Sequence, residues 1–304
     1  MDNLIFKIDE TDSDIRLDSY LAGVFENLSR TKLQTLIKAG QVLVNNKTCK
    51  PSQNLHTDDE VLCLFDESNL LKIPAENIDL DIVYENNDFA IVNKPSGMLT
   101  HPTSKEKNGT LVNALLFKYG DNLSDLNGDY RRGIIHRLDR NTSGLLIIAK
   151  NNDAHKKLAD MIKNREIEKR YRTIVRGHLD SNLTIDTPIA RSTSSGKMCI
   201  SKDGKPSLTE VYILEHFNDA TYLDINLKTG RTHQIRVHLS SIGHPVFNDT
   251  LYGFGKMKIK TDEQVLQSYK LKFKNPFNND IVDIEIEPDE KIIKVLNYLK
   301  QKGL

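Results

Sequence analysis

The chain has 304 residues, 38% hydrophobic and 28% charged, with 42 basic side chains against 42 acidic ones. That length holds one large domain plus a small one, and the composition is that of an ordinary soluble globular protein. No apolar run approaches the roughly 20 residues that span a bilayer, so a membrane channel or transporter built of helices is excluded. The N-terminal Met1-Asp-Asn-Leu-Ile lacks a basic-then-apolar secretory pattern. Cys49, Cys63 and Cys199 are scattered and form no Cys-x-x-Cys pair, which argues against a disulfide framework or zinc site. A cytoplasmic protein with inert thiols is expected.

Zero net charge does not announce a nucleic-acid binder, but the charges are segregated. Residues 27–57 contain no acid yet carry Arg30, Lys32, Lys38, Lys47 and Lys50; residues 226–243 also lack acids and carry Lys228, Arg231 and Arg236. Such segments can offer basic faces to phosphates or be ordinary solvated surface.

Residues 14–65 read as a small α/β module. Leu17, Leu21 and Val24-Phe25 recur at helical spacing. Ser29 is a good N-cap for a second helix that buries Leu33, Leu36 and Ile37, and Gly40 ends it. Val42 and Val44 start a strand, Asn45-Asn46 makes a turn, and residues 61–65 return as another strand. Arg30, Lys32 and Lys38 lie off the apolar stripe, which suits RNA binding by phosphate contact and shape. Residues 66–78 are mostly polar and include Pro74, so a linker is expected there.

In residues 79–304 the segments 80–84 and 89–92 read as strands, 110–119 as a short helix and 120–132 as a polar loop. Residues 145–149 are unbroken apolar, as in a central strand buried on both faces. Residues 152–164 are helical, with Leu158, Met161 and Ile162 inward; 171–175, 208–214 and 220–228 are further strands. The last alternates cleanly, with Thr221, Leu223, Ile225 and Leu227 against Tyr222, Asp224 and Asn226. Residues 232–242 predict a helix capped by Thr232, and 291–300 a terminal amphipathic helix. The strands do not alternate regularly with long helices, so the expected class is α+β with a mixed, largely antiparallel sheet.

The most informative stretch is His136-Arg-Leu-Asp-Arg-Asn-Thr-Ser-Gly144. Asp139 stands between Arg137 and Arg140 at the lip of the apolar strand. Nearby guanidinium groups favour an ionised carboxylate, which suits a nucleophile for a polyanionic substrate. A turn with a local Asp–Arg pair would have the same composition.

This stretch resembles the catalytic motif of the RluA-type pseudouridine synthases. Three more matches follow the order of that family: Val92-Asn-Lys-Pro-Ser-Gly97 with His101-Pro102, then Lys169-Arg-Tyr171-Arg-Thr-Ile-Val175, then Gly230-Arg-Thr-His-Gln-Ile-Arg-Val-His-Leu239 continuing to Gly243-His-Pro and Leu251-Tyr-Gly253. Residues 14–65 separately resemble an S4 RNA-binding domain, through Arg16-Leu-Asp, Ser29-Arg30 and Ile37-Lys-Ala-Gly-Gln-Val-Leu-Val-Asn45, although Asn46 stands where a glycine is usual.

The resemblance implies a pseudouridine synthase fold and the isomerisation of uridine to pseudouridine in structured RNA. Large-subunit ribosomal RNA is the first expectation and transfer RNA the second. Asp139 matches the catalytic aspartate, Tyr171 the active-site tyrosine and Arg231 the arginine that pairs with the aspartate. Lys94, Arg137, Arg140 and Arg236, with Arg30, Lys32, Lys38 and Lys47 of the first module, are the expected RNA contacts. The isomerisation formally requires no redox partner, energy donor or metal, which fits the lack of a P-loop or dinucleotide fingerprint. His101, His136, His233 and His238 have no acid or cysteine at metal-ligand spacing, so structural or RNA-contact roles are expected. The partner is therefore RNA, with no cofactor and a monomer by default. An inactive RNA-binding assembly factor and a base hydrolase are the competing readings.

Overall fold

The computed structural model describes residues 4–9, 12–25, 28–65, 73–103, 106–192, 194–253, 259, 261 and 264–301. The chain divides into two units, Met1–Lys72 and Ile73–Leu304.

The first unit packs two helices, α1 (Leu17–Val24) and α2 (Arg30–Lys38), with four short strands, β1 (Leu4–Lys7), β2 (Val42–Val44), β3 (Lys47–Thr48) and β4 (Glu60–Cys63). The sheet order is β1-β4-β2-β3, antiparallel throughout. Ser29 caps α2 by accepting the Lys32 N–H. Gly40 follows it at φ +74°, a left-handed position that suits the residue after a helix end. Asn45 and Asn46 both have positive φ, 52° and 60°, and join β2 to β3 across a two-residue turn. That is the mirror-image turn a tight hairpin needs, and asparagine tolerates it without glycine. Leu17, Leu21, Leu33, Ile37, Val42 and Val61 fill the core.

The expected linker is only partly a linker. Residues 66–72 lie outside the described residues, but 73–78 are built into the second unit. Ile73 packs on its core, the Pro74 carbonyl accepts from Asn113 Nδ2 at 2.8 Å, and the Glu76 N–H donates to the Asn113 carbonyl.

The second unit is organised by a nine-stranded sheet. In chain order its elements are β5 (Asp81–Glu85), β6 (Phe89–Lys94), α3 (Leu111–Tyr119), β7 (Ser143–Ala149), α4 (Asn152–Lys163), β8 (Glu168–Arg176), β9 (Leu183–Asp186), β10 (Ile189–Arg191), β11 (Met198–Ile200), β12 (Leu208–Phe217), β13 (Ala220–Leu227), α5 (Gln234–Ser241), β14 (Leu266–Lys274), β15 (Ile281–Glu285) and α6 (Glu290–Gln301). The order is β5-β6-β7-β14-β8-β13-β12-β9, with β15 on β14, while β10 and β11 form a separate ribbon. The β7–β14 pairing is parallel and its neighbours are antiparallel, so the sheet is mixed.

The two-residue period of β7 divides its apolar run between two cores. Leu146 and Ile148 join Leu111, Leu115 and Leu223 on one face; Leu145, Ile147 and Ala149 join Leu158, Phe89 and Leu271 on the other. Gly144 sits at φ +109°, and a Cβ there would lie 2.0 Å from the Ser268 carbonyl oxygen of β14. Only glycine allows the two backbones to pair so closely. The face of β13 that carries Asp224 and Asn226 is buried as well. Asp224 is buried because Arg170 and the Tyr269 hydroxyl both bond to it.

Candidate active site

The loop that leads into β7 carries Asp139, and the carbonyls of Leu138, Arg140 and Asn141 beside it are tied down. Lys94, at the end of β6, is fully buried and donates to the carbonyls of Pro95 (2.8 Å), Met98 (2.8 Å) and Arg140 (3.1 Å). Burial and the nearby Lys291 ammonium push it down to about 7, while the Asp139 charge pulls it back. Lys94 is therefore a structural post for the loop, not the RNA contact expected from sequence, because no surface is left to meet RNA. Lys291 of α6 donates to the Asn141 carbonyl at 2.9 Å and to Ser96 Oγ at 2.8 Å. Thr100 Oγ1 donates to the Leu138 carbonyl at 2.9 Å. His136 accepts the Ile147 N–H on Nε2 at 3.0 Å, and burial pushes it down to about 3, so it stays neutral.

The opposite wall comes from α5. Gln234 opens the helix, with His233 ahead of it in left-handed backbone (φ +55°), so Thr232 is not the cap. The buried Gln234 side chain accepts from the Arg231 N–H at 3.0 Å and donates to the Leu208 carbonyl and Thr209 Oγ1. This start turns Arg236 inward. Its Nη1 donates to Asp139 Oδ2 at 3.0 Å; its Nε and Nη2 fork onto Asp249 at 2.7 and 2.9 Å. Asp249 also accepts the N–H groups of Leu251 and Tyr252. Burial opposes both charges, but the mutual contacts outweigh it: Arg236 is held above its usual range and Asp249 below its own. The result is a relay of fixed geometry, with Asp249 aiming Arg236 and Arg236 aiming Asp139. His233 Nε2 lies 3.8 Å from the same Asp139 oxygen, and its Nδ1 meets the Tyr252 hydroxyl at 2.8 Å.

The arginine beside the aspartate is therefore Arg236, and not Arg231. Arg231 directs its Nε to the Pro206 carbonyl at 3.2 Å and lines the cleft without touching Asp139. Arg236, expected among the RNA contacts, is buried.

Tyr171 rises from β8 into the same cleft of about 490 Å³ that Asp139, Arg137, Arg231 and Arg236 line. Burial pushes its phenol up to about 12; the Ser268 hydroxyl pulls it down and the Asp139 charge pushes it further up. Arg137 is exposed at the cleft, while Arg140 is tied to Glu106 at 2.5 Å. In the first unit the Arg30 guanidinium is half exposed and anchored on the buried Asp18 at 2.7 Å, with Arg16 and Gln34 on the same carboxylate. Lys32 is half-buried, and Lys38 and Lys47 are exposed. His238 is buried against Thr209 and the Thr187 carbonyl. Among the described residues no group of three or more His, Cys, Asp or Glu stands where it could hold a metal ion. The sequence did not reveal Asp249, which lies between the two halves of the last motif, or Lys291.

A mixed sheet with a basic cleft around one aspartate and one tyrosine, preceded by a small basic α/β unit, matches known proteins closely. The family model for RNA pseudouridylate synthases matches residues 88–241, and that for the S4 domain matches residues 15–61. A protein of Aquifex aeolicus described as an uncharacterized RNA pseudouridine synthase is 39% identical over 310 residues, covering 98% of this chain and 97% of its own. The ribosomal large subunit pseudouridine synthase D of Escherichia coli is 36% identical over 299 residues, covering 94% and 90%. Among solved structures, human RNA pseudouridylate synthase domain containing 1 superposes with a TM-score of 0.57 at 27% identity, covering 75% of this chain and 97% of that one. The chain belongs to the RNA pseudouridylate synthase family. It is an RNA pseudouridine synthase of the RluA type, with an S4 domain at its N-terminal side.

Proposed function

We propose that this enzyme isomerises specific uridines of large-subunit ribosomal RNA in the cytoplasm, with Asp139 as its nucleophile. The similarity to the Escherichia coli large-subunit enzyme, 36% over nearly the whole chain, supports that RNA over transfer RNA. The observation that carries the catalytic reading is the carboxylate of Asp139, fixed 3.0 Å from Arg236 in the cleft that Tyr171 also lines.

The reaction breaks the bond from uracil N1 to the ribose C1′ and forms one from C5 to C1′. The C5 hydrogen leaves as a proton and N1 gains one, so atoms and electrons balance without a co-reactant. Asp139 can attack the sugar carbon or the base; either route needs an ionised carboxylate that is positioned in advance. Arg236 supplies that positioning. The Tyr171 ring offers the extruded base a flat apolar surface. Its hydroxyl remains a neutral donor near pH 7, because burial keeps its proton on until about 12. Extruding a paired uridine costs a few kcal/mol, and an S4 unit that grips nearby RNA offsets that cost.

The test is incubation with unmodified large-subunit ribosomal and transfer RNA transcripts, then digestion to nucleosides. Pseudouridine from the ribosomal transcript supports the proposal. Pseudouridine from transfer RNA alone redirects the target, and free uracil or unchanged RNA contradicts the proposal.

A further inference from the structure

Lys169 lies two residues before Tyr171 on β8, so the strand's two-residue period turns both side chains to the same face. Both line the cleft of Asp139. Lys169 is only 7% exposed, and among the described residues its ammonium has no hydrogen bond and no ion pair. Its neighbours Glu168 and Arg170 point elsewhere and pair with each other. Burial without a counter-charge disfavours the ammonium form of Lys169, and an anionic ligand in the cleft would restore it. Burial alone pushes Lys169 down to about 8; no carboxylate pulls it back.

The surroundings are those of an anion site. Gly230 faces the ammonium without a side chain, and a Cβ built there would lie 3.9 Å from Nζ. Arg165, Lys228 and Arg231 stand at the rim of the same cleft. Arg165 follows the end of α4 in left-handed backbone, φ +63°, a position where glycine is usual. Arg165, Lys169 and Lys228 also line an adjoining recess of about 370 Å³ together with Lys272, Lys274, Glu166 and Glu168; Lys228 is paired with Glu210 at 3.3 Å and Lys272 with Asp283 at 2.8 Å. Basic side chains thus continue from the reacting carboxylate through Lys169 into a second recess, whose lining holds five of them against two acids.

We propose that Lys169 anchors a backbone phosphate next to the target uridine, and that the RNA strand runs from the Asp139 cleft over Lys169 toward Lys272 and Lys274. This inference rests on the catalytic reading of the cleft, and adds the phosphate contact that fixes the register of the strand within it.

The test compares the full-length chain with Lys169→Met and Lys169→Arg, each in an Asp139→Asn background that stops turnover, for binding to an unmodified large-subunit ribosomal RNA transcript at several salt concentrations. Lys169→Met should weaken binding about tenfold at 0.1 M salt and make the slope of log Kd against log salt shallower by about 0.7–0.9, the signature of one lost phosphate contact. Lys169→Arg should keep the slope. The melting temperature of Lys169→Met should equal or exceed that of its parent, since an apolar chain replaces a buried unpaired cation. Unchanged affinity and slope would overturn the proposal. So would a lower melting temperature, which would make Lys169 a support of the fold, or a slower chemical step at unchanged affinity in the Asp139 form, which would make it a proton carrier. If the parent enzyme produces no pseudouridine, the catalytic reading fails whatever Lys169 does; if it does and Lys169 is inert, only this inference fails.

Discussion

Replacing Arg236 with lysine keeps one positive charge but removes the fork. In the enzyme Nε and Nη2 hold Asp249 at 2.7 and 2.9 Å, which leaves Nη1 to hold Asp139 at 3.0 Å. A lysine ammonium is a single point charge on a flexible stem. The deeper carboxylate, Asp249, is also the more buried, so the ammonium should settle there and release Asp139. The lost bond is charge-assisted and worth about 1.5–3 kcal/mol. If that hold is realised in the transition state, the chemical step slows about 10- to 150-fold, at 1.36 kcal/mol per factor of ten. Arg236→Met would also strand Asp249 in the core without a counter-charge, which costs about 3–5 kcal/mol of stability. Lysine is therefore the cleaner probe. The assay is single-turnover release of tritium from RNA labelled at uridine C5, with enzyme in excess, beside the same measurement on Arg231→Met. Arg231 contacts the Pro206 carbonyl and not the aspartate, so its loss should alter RNA affinity and leave the chemical step within about threefold. An Arg236→Lys enzyme that reacts at nearly the normal rate, or an Arg231→Met enzyme that loses a hundredfold in the chemical step, would refute this assignment.

Gly144→Ala should unfold the second unit or lower its stability by more than about 3 kcal/mol, because the added methyl meets the Ser268 backbone at 2.0 Å in a left-handed position; denaturant melts check it, and a near-normal midpoint would contradict it. His136 and His101 are pushed by burial down to about 3 and about 4, while in the unfolded chain they protonate near 6.5. Stability from these groups is thus complete above pH 6.5 and lost as the pH falls toward 4; the melting temperature should drop between pH 7 and 5, and less steeply in His136→Gln. Neutralising Lys32 and Lys38 together should weaken RNA binding and flatten its salt dependence, with the rate of the bound complex unchanged; an unaltered salt slope would count against a phosphate-binding role for that face.

Much of the architecture was legible where a local pattern decides the outcome. The run 145–149 gave β7 because only a strand buried on both faces tolerates unbroken apolar sequence. Ser29 and Gly40 bounded α2 through backbone chemistry that acts within a turn, and Asn45-Asn46 made its hairpin for the same reason. The strands β14 and β15 were not legible. Leu266–Lys274 mixes charge with apolar residues, and its place between β7 and β8 depends on partners roughly a hundred residues away. Its polar residues are buried through bonds beyond any local pattern: Gln267 donates to the Glu287 carbonyl, 20 residues on, and Ser268 to that of Leu145, 123 residues back. The site divides in the same way. The motif spacing brought Asp139 and Tyr171 into one cleft, but two arginines in one segment look alike in sequence. The left-handed turn at His233 decides which of them faces inward, and a single histidine in a motif does not announce such a turn as a glycine would. Asp249 stood in no periodic element and gave no sign of its bond to Arg236.

The nucleophile is tested most directly by Asp139→Asn, which keeps the side chain's size and its contact with Arg236 while removing its charge. The variant should bind unmodified ribosomal transcript with the affinity of the parent enzyme and form no pseudouridine, even at enzyme excess and long incubation. Pseudouridine formed by that variant at a rate within tenfold of the parent's would contradict covalent participation by Asp139.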